Sequence, residues 1–317
     1  MNYILLVIGL VLLTWGAELL TKGCVGMAAR FRVPEFIVGL TVMAVGTSMP
    51  ELTVSTMSAL KGSTDMAIGN VTGSNIFNTL IVLGVCALIR PMVFTKENVR
   101  RDIPLCIAAS ALLLVMALYL GSTAGISRVE GMILFALYIA FVLYSIRSAK
   151  KDSTDAEVEA NDAQSEATIG WGRILFFIVV GLAGLIYGGN LCLDSATAIA
   201  RAWGVSEAII AITIVAAGTS LPELASSVAA IANGKLSLAL GNIIGSNVAN
   251  ILLILGASAS IKPLTMGTIT QLDLGMVVGS AVILLLSALV MGKRRITRVE
   301  GALFFAAYVA YVVILMK

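Results

Sequence analysis

Long apolar runs constrain this chain more than any other feature of its sequence. Each run has about 20 residues, the length with which an α-helix crosses the hydrocarbon core of a bilayer. Of the 317 residues, 59% are hydrophobic and only 12% are charged, which excludes an ordinary soluble domain. We therefore predict an all-α polytopic membrane protein with ten transmembrane helices, at residues 3–26, 35–60, 66–90, 102–120, 127–147, 171–197, 206–232, 237–262, 272–292 and 296–316.

The two halves of the chain are related by duplication. Residues 39–84 align without a gap onto 211–256, and 20 of the 46 aligned positions are identical. This predicts two five-helix repeats, at 1–147 and 171–317. Because five is an odd number, tandem repeats of this kind must cross the bilayer in opposite directions, so we expect an inverted repeat, an architecture typical of secondary transporters.

The stretch 148–170 is polar and acidic, and it predicts a solvated linker between the repeats. Cytoplasmic loops carry an excess of Lys and Arg. With the N-terminus outside, 16 of the 21 Lys and Arg residues fall on the inner side. We therefore expect a protein of the plasma (inner) membrane with a cytoplasmic linker and with both termini outside.

Two motifs occur once in each repeat. GTSMPEL begins at Gly46 and returns as GTSLPEL from Gly218, whereas GNVTGSNIFN begins at Gly69 and returns as GNIIGSNVAN from Gly241. The proline of the first motif lacks an N–H and clashes with the preceding helical turn, so we predict that helices 2 and 7 break there. Carbonyl groups that such a break frees can line a cavity.

The first motif also places Glu51 and Glu223 inside apolar segments, where a carboxylate costs roughly 2.5–3.5 kcal/mol on insertion scales. Helical spacing aligns other side-chain oxygens with these acids or on the following helix. The stripes are Thr47, Glu51 and Ser55; Thr219, Glu223 and Ser227; Asn70, Ser74 and Asn78; and Asn242, Ser246 and Asn250. Oxygen ligands without nitrogen or sulfur suit a hard cation, so the pattern indicates a site for Ca²⁺ or Na⁺.

Other classes of function find little support in the residues. The chain contains no histidine, and Gly234-Lys235 is followed by Leu236, so neither a Ser-His-Asp triad nor a phosphate-binding loop is present. We expect no enzyme activity, no resident cofactor, no nucleic acid and no obligate protein partner. The remaining alternatives are polar residues that merely pack helices together, a cation channel, and coupling to H⁺ in place of Na⁺.

The paired GTSxPE and GNxxGSNxxN segments resemble the α-repeats of the cation/Ca²⁺ antiporter superfamily, most closely the prokaryotic sodium/calcium exchangers. The resemblance spans both halves of the chain. It implies an antiporter that exchanges Na⁺ for Ca²⁺ by alternating access at a site near the bilayer midplane. The transported ions would then be its ligands, with the lipid bilayer as its surroundings.

The resemblance also implies which residues hold the ions. The acids of the two GTSxPE motifs would bind Ca²⁺, and hydroxyl, amide and main-chain oxygens would complete the coordination of Ca²⁺ or Na⁺. On this sequence the implied set is Glu51, Glu223, Thr47, Ser48, Thr219, Ser220, Asn78, Asn250, Ser74 and Ser246, with the carbonyls of Ala44 and Ala216.

One position departs from the pattern of many relatives. Asn250 stands where many prokaryotic and potassium-dependent exchangers carry Asp. An amide at this place resembles the potassium-independent branch and removes one negative charge from the expected site. The alternatives that stay open are an H⁺/Ca²⁺ exchanger and a K⁺-dependent exchanger.

Overall fold

The computed structural model describes residues 1–120, 125–151, 169–205, 214, 216–291 and 294–315. Its helices, in chain order, are α1 Asn2–Phe31, α2 Glu35–Thr47, α3 Met49–Lys61, α4 Thr64–Ile89, α5 Asn98–Tyr119, α6 Arg128–Lys151, α7 Trp171–Ala202, α8 Ala216–Gly218, α9 Leu221–Ala232, α10 Leu236–Ile261, α11 Gln271–Leu289 and α12 Arg298–Leu315. Helix α8 has only three residues. Four two-residue strands connect some of them: β1 Met92–Val93, β2 Gly125–Ile126, β3 Leu264–Thr265 and β4 Arg295–Ile296.

The helices agree with a polytopic membrane protein but do not confirm the count of ten. Within the described residues, eight helices are long and apolar enough to cross a membrane, and α2 with α3 makes nine if this pair, bent by 46°, is one span. The predicted span 206–232 is represented by the 12-residue α9, because most of 206–215 lies outside the described residues.

Short π-helical segments interrupt several of these helices. They lie at Gly39–Met43 in α2, Asn78–Val82 in α4 and Asn250–Leu255 in α10, among others. A π-helical turn contains an extra residue, so it changes the direction of the side chains that follow it, and such turns are frequent at functional sites. The three segments named here lie beside a predicted ion ligand, Ala44, or begin at one, Asn78 or Asn250.

The chain packs into two compact units. The first unit comprises Met1–Thr47, Val142–Gly245 and Tyr311–Lys317, and the second comprises Ser48–Phe141 and Ser246–Ala310. Each unit therefore contains residues from both sequence repeats. The predicted domains 1–147 and 171–317 are repeats of the sequence. The two units are groups of residues that pack together, so their boundaries do not test that prediction.

In the first unit, α1 and α7 pack closely along glycines. A Cβ atom on Gly9 would meet the main chain of Gly188, one on Gly16 would meet Gly181 and Leu185, and one on Gly23 would meet Ile178. As the residue number increases along α1, the number of the contacted residue on α7 decreases, so the two helices run antiparallel. Glycines spaced by seven residues share one helix face and allow the backbones to approach.

In the second unit, two small antiparallel ladders join the repeats. Strand β1 pairs with β4, with Met92 opposite Ile296, and β2 pairs with β3, with Ile126 opposite Leu264. Residues 92 and 264 occupy equivalent places in the duplication. One ladder therefore repeats the other with the two halves of the chain exchanged.

The ladders also fix the direction of two helices. Strand β1 precedes α5 and β2 follows it, whereas β3 precedes α11 and β4 follows it. Since β1 pairs with β4, the start of α5 lies beside the end of α11. Since β2 pairs with β3, the end of α5 lies beside the start of α11. The equivalent helices α5 and α11, which pack against each other, therefore run antiparallel.

The predicted linker lies mainly outside the described residues. Helix α6 continues to Lys151, beyond the predicted start of the linker at residue 148, and α7 begins at Trp171. Residues 152–168 between these helices are not described. The linker and its cytoplasmic location stay predictions.

We expect Gly16→Ala to destabilise the protein. The added Cβ would lie 2.7 Å from the main-chain nitrogen of Leu185, and overpacking of this kind costs about 1–3 kcal/mol. Thermal unfolding in detergent micelles measures the effect. Gly279→Ala is the matched control, because no described atom lies within 4 Å of its added Cβ, and it should leave the melting temperature unchanged or slightly higher. Equal melting temperatures for both variants would contradict the close packing of α1 on α7.

Candidate functional site

A break in the helix places Glu51. Helix α2 ends at Thr47 and α3 begins at Met49, while Ser48 between them has φ −83° and ψ 10°. Pro50 lies in the first turn of α3, where no main-chain N–H is needed for the helical hydrogen bonds. Glu51 therefore also lies in the first turn, where the helix dipole favours a negative charge by about 0.3–1 kcal/mol.

The second repeat has the same local structure. Ser220 precedes α9 with φ −89° and ψ 7°, and Pro222 and Glu223 follow in the first turn of that helix. Glu51 and Glu223 are both 0% exposed. Each GTSxPE motif thus gives a fully buried carboxylate at the N-terminus of a helix.

The expected continuous stripes through these motifs are wrong in one respect. Thr47 closes α2 whereas Glu51 and Ser55 belong to α3, so the spacing of four residues from Thr47 to Glu51 crosses a break instead of one helical turn. Thr219 likewise lies outside α9, in the turn before it. The reason is that each proline lies in the first turn of a new helix, so the hydroxyl residues of the motif lie at the end of the preceding helix (Thr47) or in the turn before the new one (Ser48, Thr219 and Ser220).

In the second unit, α4 supplies polar neighbours for Glu51. Ser74 Oγ donates a long hydrogen bond of 3.4 Å to Glu51 Oε1. Asn70 Nδ2 donates to the main-chain oxygen of Glu51 at 3.3 Å and to Ser55 Oγ at 3.0 Å. These bonds join α4 to the first two turns of α3 and fix the backbone on which the carboxylate is carried.

In the first unit, α10 supplies corresponding neighbours for Glu223. Asn242 Nδ2 donates to Ser226 Oγ at 3.1 Å and to Ser227 Oγ at 3.0 Å, and Ser226 Oγ donates to the main-chain oxygen of Glu223 at 3.1 Å. Thr47 Oγ1 lies 3.3 Å from both Asn242 Oδ1 and the main-chain oxygen of Ala44. Two predicted ligand residues, Thr47 and Ala44, therefore lie together.

Each glutamate has an equivalent hydrogen bond between helices beside it. The bond from Asn70 to Ser55 and the bond from Asn242 to Ser227 join equivalent positions of the duplication, and both measure 3.0 Å. All four side chains are buried or partly buried. The duplicated motifs thus produce the same helix-to-helix hydrogen bond twice, beside a buried carboxylate each time.

Three more predicted ligands have buried oxygens without a hydrogen-bond partner in the described part of the structure. Asn78 Oδ1 and Nδ2, Asn250 Oδ1 and Ser246 Oγ have no hydrogen-bond partner among the described residues, and the three side chains are at most 1% exposed. A buried polar group left in this way costs about 1–3 kcal/mol. A cation that accepts these oxygens as ligands would remove that penalty.

The predicted site residues divide between the two units. Those in the second unit are Ser48, Glu51, Ser74, Asn78, Ser246 and Asn250. Those in the first unit are Ala44, Thr47, Ala216, Thr219, Ser220 and Glu223. Of the side chains that are described, all are buried except that of Thr219, which is partly exposed.

The chemistry of the donors suits a hard cation bound by mixed oxygens. Among the described residues there is no group of three Cys, Asp or Glu side chains that could hold a metal ion. The four cysteines, Cys24, Cys86, Cys106 and Cys192, are free and buried. A cation here would therefore be bound by fewer than three carboxylates together with neutral amide, hydroxyl and main-chain oxygens, which are ligands that Na⁺ and Ca²⁺ accept.

Sequence reasoning missed two residues beside this site. Asn75 and Asn247 are 1% and 3% exposed, and their amides hydrogen-bond between α4 and α10. Both belong to the repeated GSN segment. Asparagine at both equivalent positions was a signal that could have pointed to them. They were missed because they do not belong to the series of oxygen-bearing residues spaced by four along each helix.

Two relatives match almost the whole chain. The putative antiporter CaxA of Alkalimonas amylolytica is 37% identical over 97% of this chain and 96% of its own length. The sodium/calcium exchanger MaX1 of Methanosarcina acetivorans is 30% identical over 99% of this chain and 98% of its own. Both matches extend across the two repeats and the stretch between them.

A structural comparison and a family comparison give the same result as these relatives. A solved structure of the sodium-calcium exchanger NCX_Mj superposes with a TM-score of 0.83 and 29% identity, over 99% of this chain and 98% of that one. The pattern of the sodium/calcium exchanger protein family matches residues 1–147 and 173–317. The chain therefore belongs to the sodium/calcium exchanger family and is a transmembrane cation/Ca²⁺ antiporter of the prokaryotic kind.

Proposed function

We propose that this antiporter exchanges Na⁺ for Ca²⁺ across the plasma (inner) membrane by alternating access. The observation that carries the proposal is the doubled placement of a fully buried glutamate in the first turn after a helix break, at Glu51 and again at Glu223. Membership of the sodium/calcium exchanger family supports the choice of ions.

The carboxylates of Glu51 and Glu223 are the charged ligands in this proposal, because their two negative charges balance one Ca²⁺. Neutral oxygens complete the coordination. They come from Thr47, Ser48, Ser74, Asn78, Thr219, Ser220, Ser246 and Asn250, and from the carbonyls of Ala44 and Ala216. The unsatisfied oxygens of Asn78, Asn250 and Ser246 support this set.

Shared ligands give a reason for exchange. Na⁺ and Ca²⁺ both prefer oxygen donors, and an oxygen that coordinates one ion is not available to the other. The two ions therefore occupy the site in turn, and each ion selects the conformations that bind it better. The ions themselves are the ligands of the protein, without a resident cofactor.

The arrangement in the membrane follows the inverted repeat. Ten helices, broken at the prolines of helices 2 and 7, would leave both termini outside and the linker 148–170 in the cytoplasm. The exchanged pairing of the two strand ladders supports the inversion, as do the antiparallel pairs α1 with α7 and α5 with α11.

Flux through purified protein tests the choice of ions. We expect ⁴⁵Ca²⁺ to enter proteoliposomes that are loaded with Na⁺, because outward movement of Na⁺ frees the shared ligands for Ca²⁺. Vesicles loaded with K⁺, and vesicles with a pH gradient but no Na⁺, serve as controls. Uptake that a pH gradient drives without Na⁺ would identify an H⁺/Ca²⁺ exchanger instead.

Three further results of the same assay would change or contradict the proposal. A requirement for K⁺ together with Na⁺ would assign the chain to the K⁺-dependent exchangers. Ca²⁺ flux far above carrier rates, without any counter-ion gradient, would indicate a cation channel. Absence of uptake under every gradient would contradict Ca²⁺ transport altogether.

Removing either buried charge should strongly weaken Ca²⁺ binding during exchange. We expect Glu51→Gln and Glu223→Gln each to lower the apparent Ca²⁺ affinity by about 100-fold, since a charged ligand contributes about 3 kcal/mol and 1.4 kcal/mol corresponds to a factor of ten. Glu97→Gln makes the same chemical change at an exposed residue before α5 and should transport normally. The concentration dependence of ⁴⁵Ca²⁺ uptake measures all three.

The two glutamate variants also report separately. Normal exchange by Glu51→Gln would remove the second unit's residue from the proposed ligand set, and normal exchange by Glu223→Gln would remove the first unit's. Normal exchange by both variants would show that the ions bind elsewhere in the chain.

A further inference from the structure

A group of buried amides lies beside the proposed ligands in the second unit. We call Asn75, Asn247 and Asn250, together with Thr79, the asparagine cluster. Its members are at most 3% exposed. Asn75 and Thr79 come from α4, whereas Asn247 and Asn250 come from α10, so the cluster joins the two helices that carry the GNxxGSNxxN motif.

Hydrogen bonding fixes the orientation of the Asn75 side chain. One end of its amide lies 3.2 Å from the main-chain oxygen of Asn247. A carbonyl oxygen can only accept a hydrogen bond, so the nitrogen of Asn75 must face it. The oxygen of Asn75 must then face the other way, towards Asn250.

The orientation of Asn250 follows from that of Asn75. Asn75 Oδ1 lies 3.0 Å from Asn250 Nδ2. Since an amide oxygen cannot donate, residue 250 has to present a donor at this place, and its own Oδ1 is turned away. That oxygen is fully buried and has no hydrogen-bond partner in the described part of the chain.

We propose that Asn75 is a positioning residue that holds Asn250 with its oxygen free for the transported cation and selects an amide over a carboxylate at position 250. The inference rests on the proposed function, in which Asn250 is a ligand. If the amide of Asn250 turned over, its nitrogen would face the cation and its oxygen would face Asn75 Oδ1. The carbonyl of Asn247 therefore decides, through Asn75, which atom the cation meets.

The equivalent residues in the other repeat are not held in this way. Asn78 corresponds to Asn250, and Asn247 corresponds to Asn75. Asn247 Nδ2 donates instead to Thr79 Oγ1 at 2.8 Å, while Asn247 Oδ1 and both polar atoms of Asn78 have no partner among the residues described. Thr79 corresponds to Ile251, which has no hydroxyl.

This difference between the repeats accounts for the bond that Asn247 makes and Asn75 does not. The hydroxyl of Thr79 draws the amide nitrogen of Asn247 to itself, and no hydroxyl at Ile251 can do the same to Asn75. Asn250 is consequently oriented before an ion binds, whereas no hydrogen bond among the described residues orients Asn78. The two asparagines therefore have different roles although their motifs are the same.

A double-mutant cycle tests the positioning role. We expect N75S and N250D each to weaken Ca²⁺ binding by roughly 10- to 100-fold, the usual effect of losing a residue that orients a metal ligand. N250D would weaken it although it adds a negative charge, because a carboxylate meets the oxygen of Asn75. In N75S/N250D the serine hydroxyl can donate to the carboxylate, so the double variant should bind Ca²⁺ more tightly than either single variant.

Two measurements on the full chain separate positioning from folding. The rise in melting temperature on adding Ca²⁺ to purified protein reports binding, and the melting temperature without ions reports stability. A positioning role changes the first and leaves the second. In ⁴⁵Ca²⁺ flux, the half-saturating Ca²⁺ concentration should rise more than the maximal rate falls. S110A is the control and should resemble the unaltered chain, because the hydroxyl of this buried α5 serine bonds, among the described residues, only to the main-chain oxygen of Cys106 in its own helix.

Several outcomes would overturn the inference. Binding by N75S that equals binding by S110A, or effects of N75S and N250D that simply multiply in the double variant, would show that Asn75 does not orient Asn250. If variants at position 75 fail to fold, N250D alone still tests the inference. Tighter Ca²⁺ binding by N250D than by the unaltered chain would contradict the positioning role of Asn75.

N250A distinguishes the inference from the proposed function. If N250A loses Ca²⁺ binding while N75S binds normally, Asn250 is a ligand and only the role of Asn75 is wrong. If N250A binds Ca²⁺ as well as the unaltered chain, Asn250 is not a ligand, and both its proposed role and the positioning inference fall.

Discussion

The burial of two carboxylates is the constraint on which the rest of this structure depends. Glu51 and Glu223 are inaccessible to solvent in a chain that is 59% hydrophobic, and an uncompensated charge in such surroundings is expensive. Three features reduce this free-energy cost: the break in the helix before each acid, the position of each acid at a helix N-terminus, and the asparagines of α4 and α10. Among the described residues, the neutral oxygens of Asn78, Ser246 and Asn250 have no hydrogen-bond partner, so a cation could accept them as further ligands.

The duplication explains how the same solution arises twice. Ser48 and Ser220 have nearly the same dihedral angles, and the bonds from Asn70 to Ser55 and from Asn242 to Ser227 have the same length. Local sequence therefore specifies local structure in each repeat independently. The antiparallel packing of equivalent helices then mixes the repeats, which is why each compact unit contains residues from both halves.

Departures from the duplication carry information of their own. Thr79 has no hydroxyl counterpart at Ile251, and the asparagines of the two GNxxGSNxxN motifs are consequently bonded differently. The hydrogen bonds of Asn75 give a physical reason for the amide in this chain, since a neighbouring oxygen acceptor requires a donor.

The sequence alone determined the membrane class, the duplication, the antiporter family and the two buried glutamates, because hydropathy, proline and repeated motifs act over a few residues or along one helix. It also predicted the breaks near Pro50 and Pro222, although the placement of Thr47 and Thr219 outside the following helices came from the structure. Only the tertiary structure decided the bond from Asn75 to the carbonyl of Asn247, residues 172 positions apart. Such a bond depends on how α4 packs against α10, and no local pattern specifies which of several buried amides will meet.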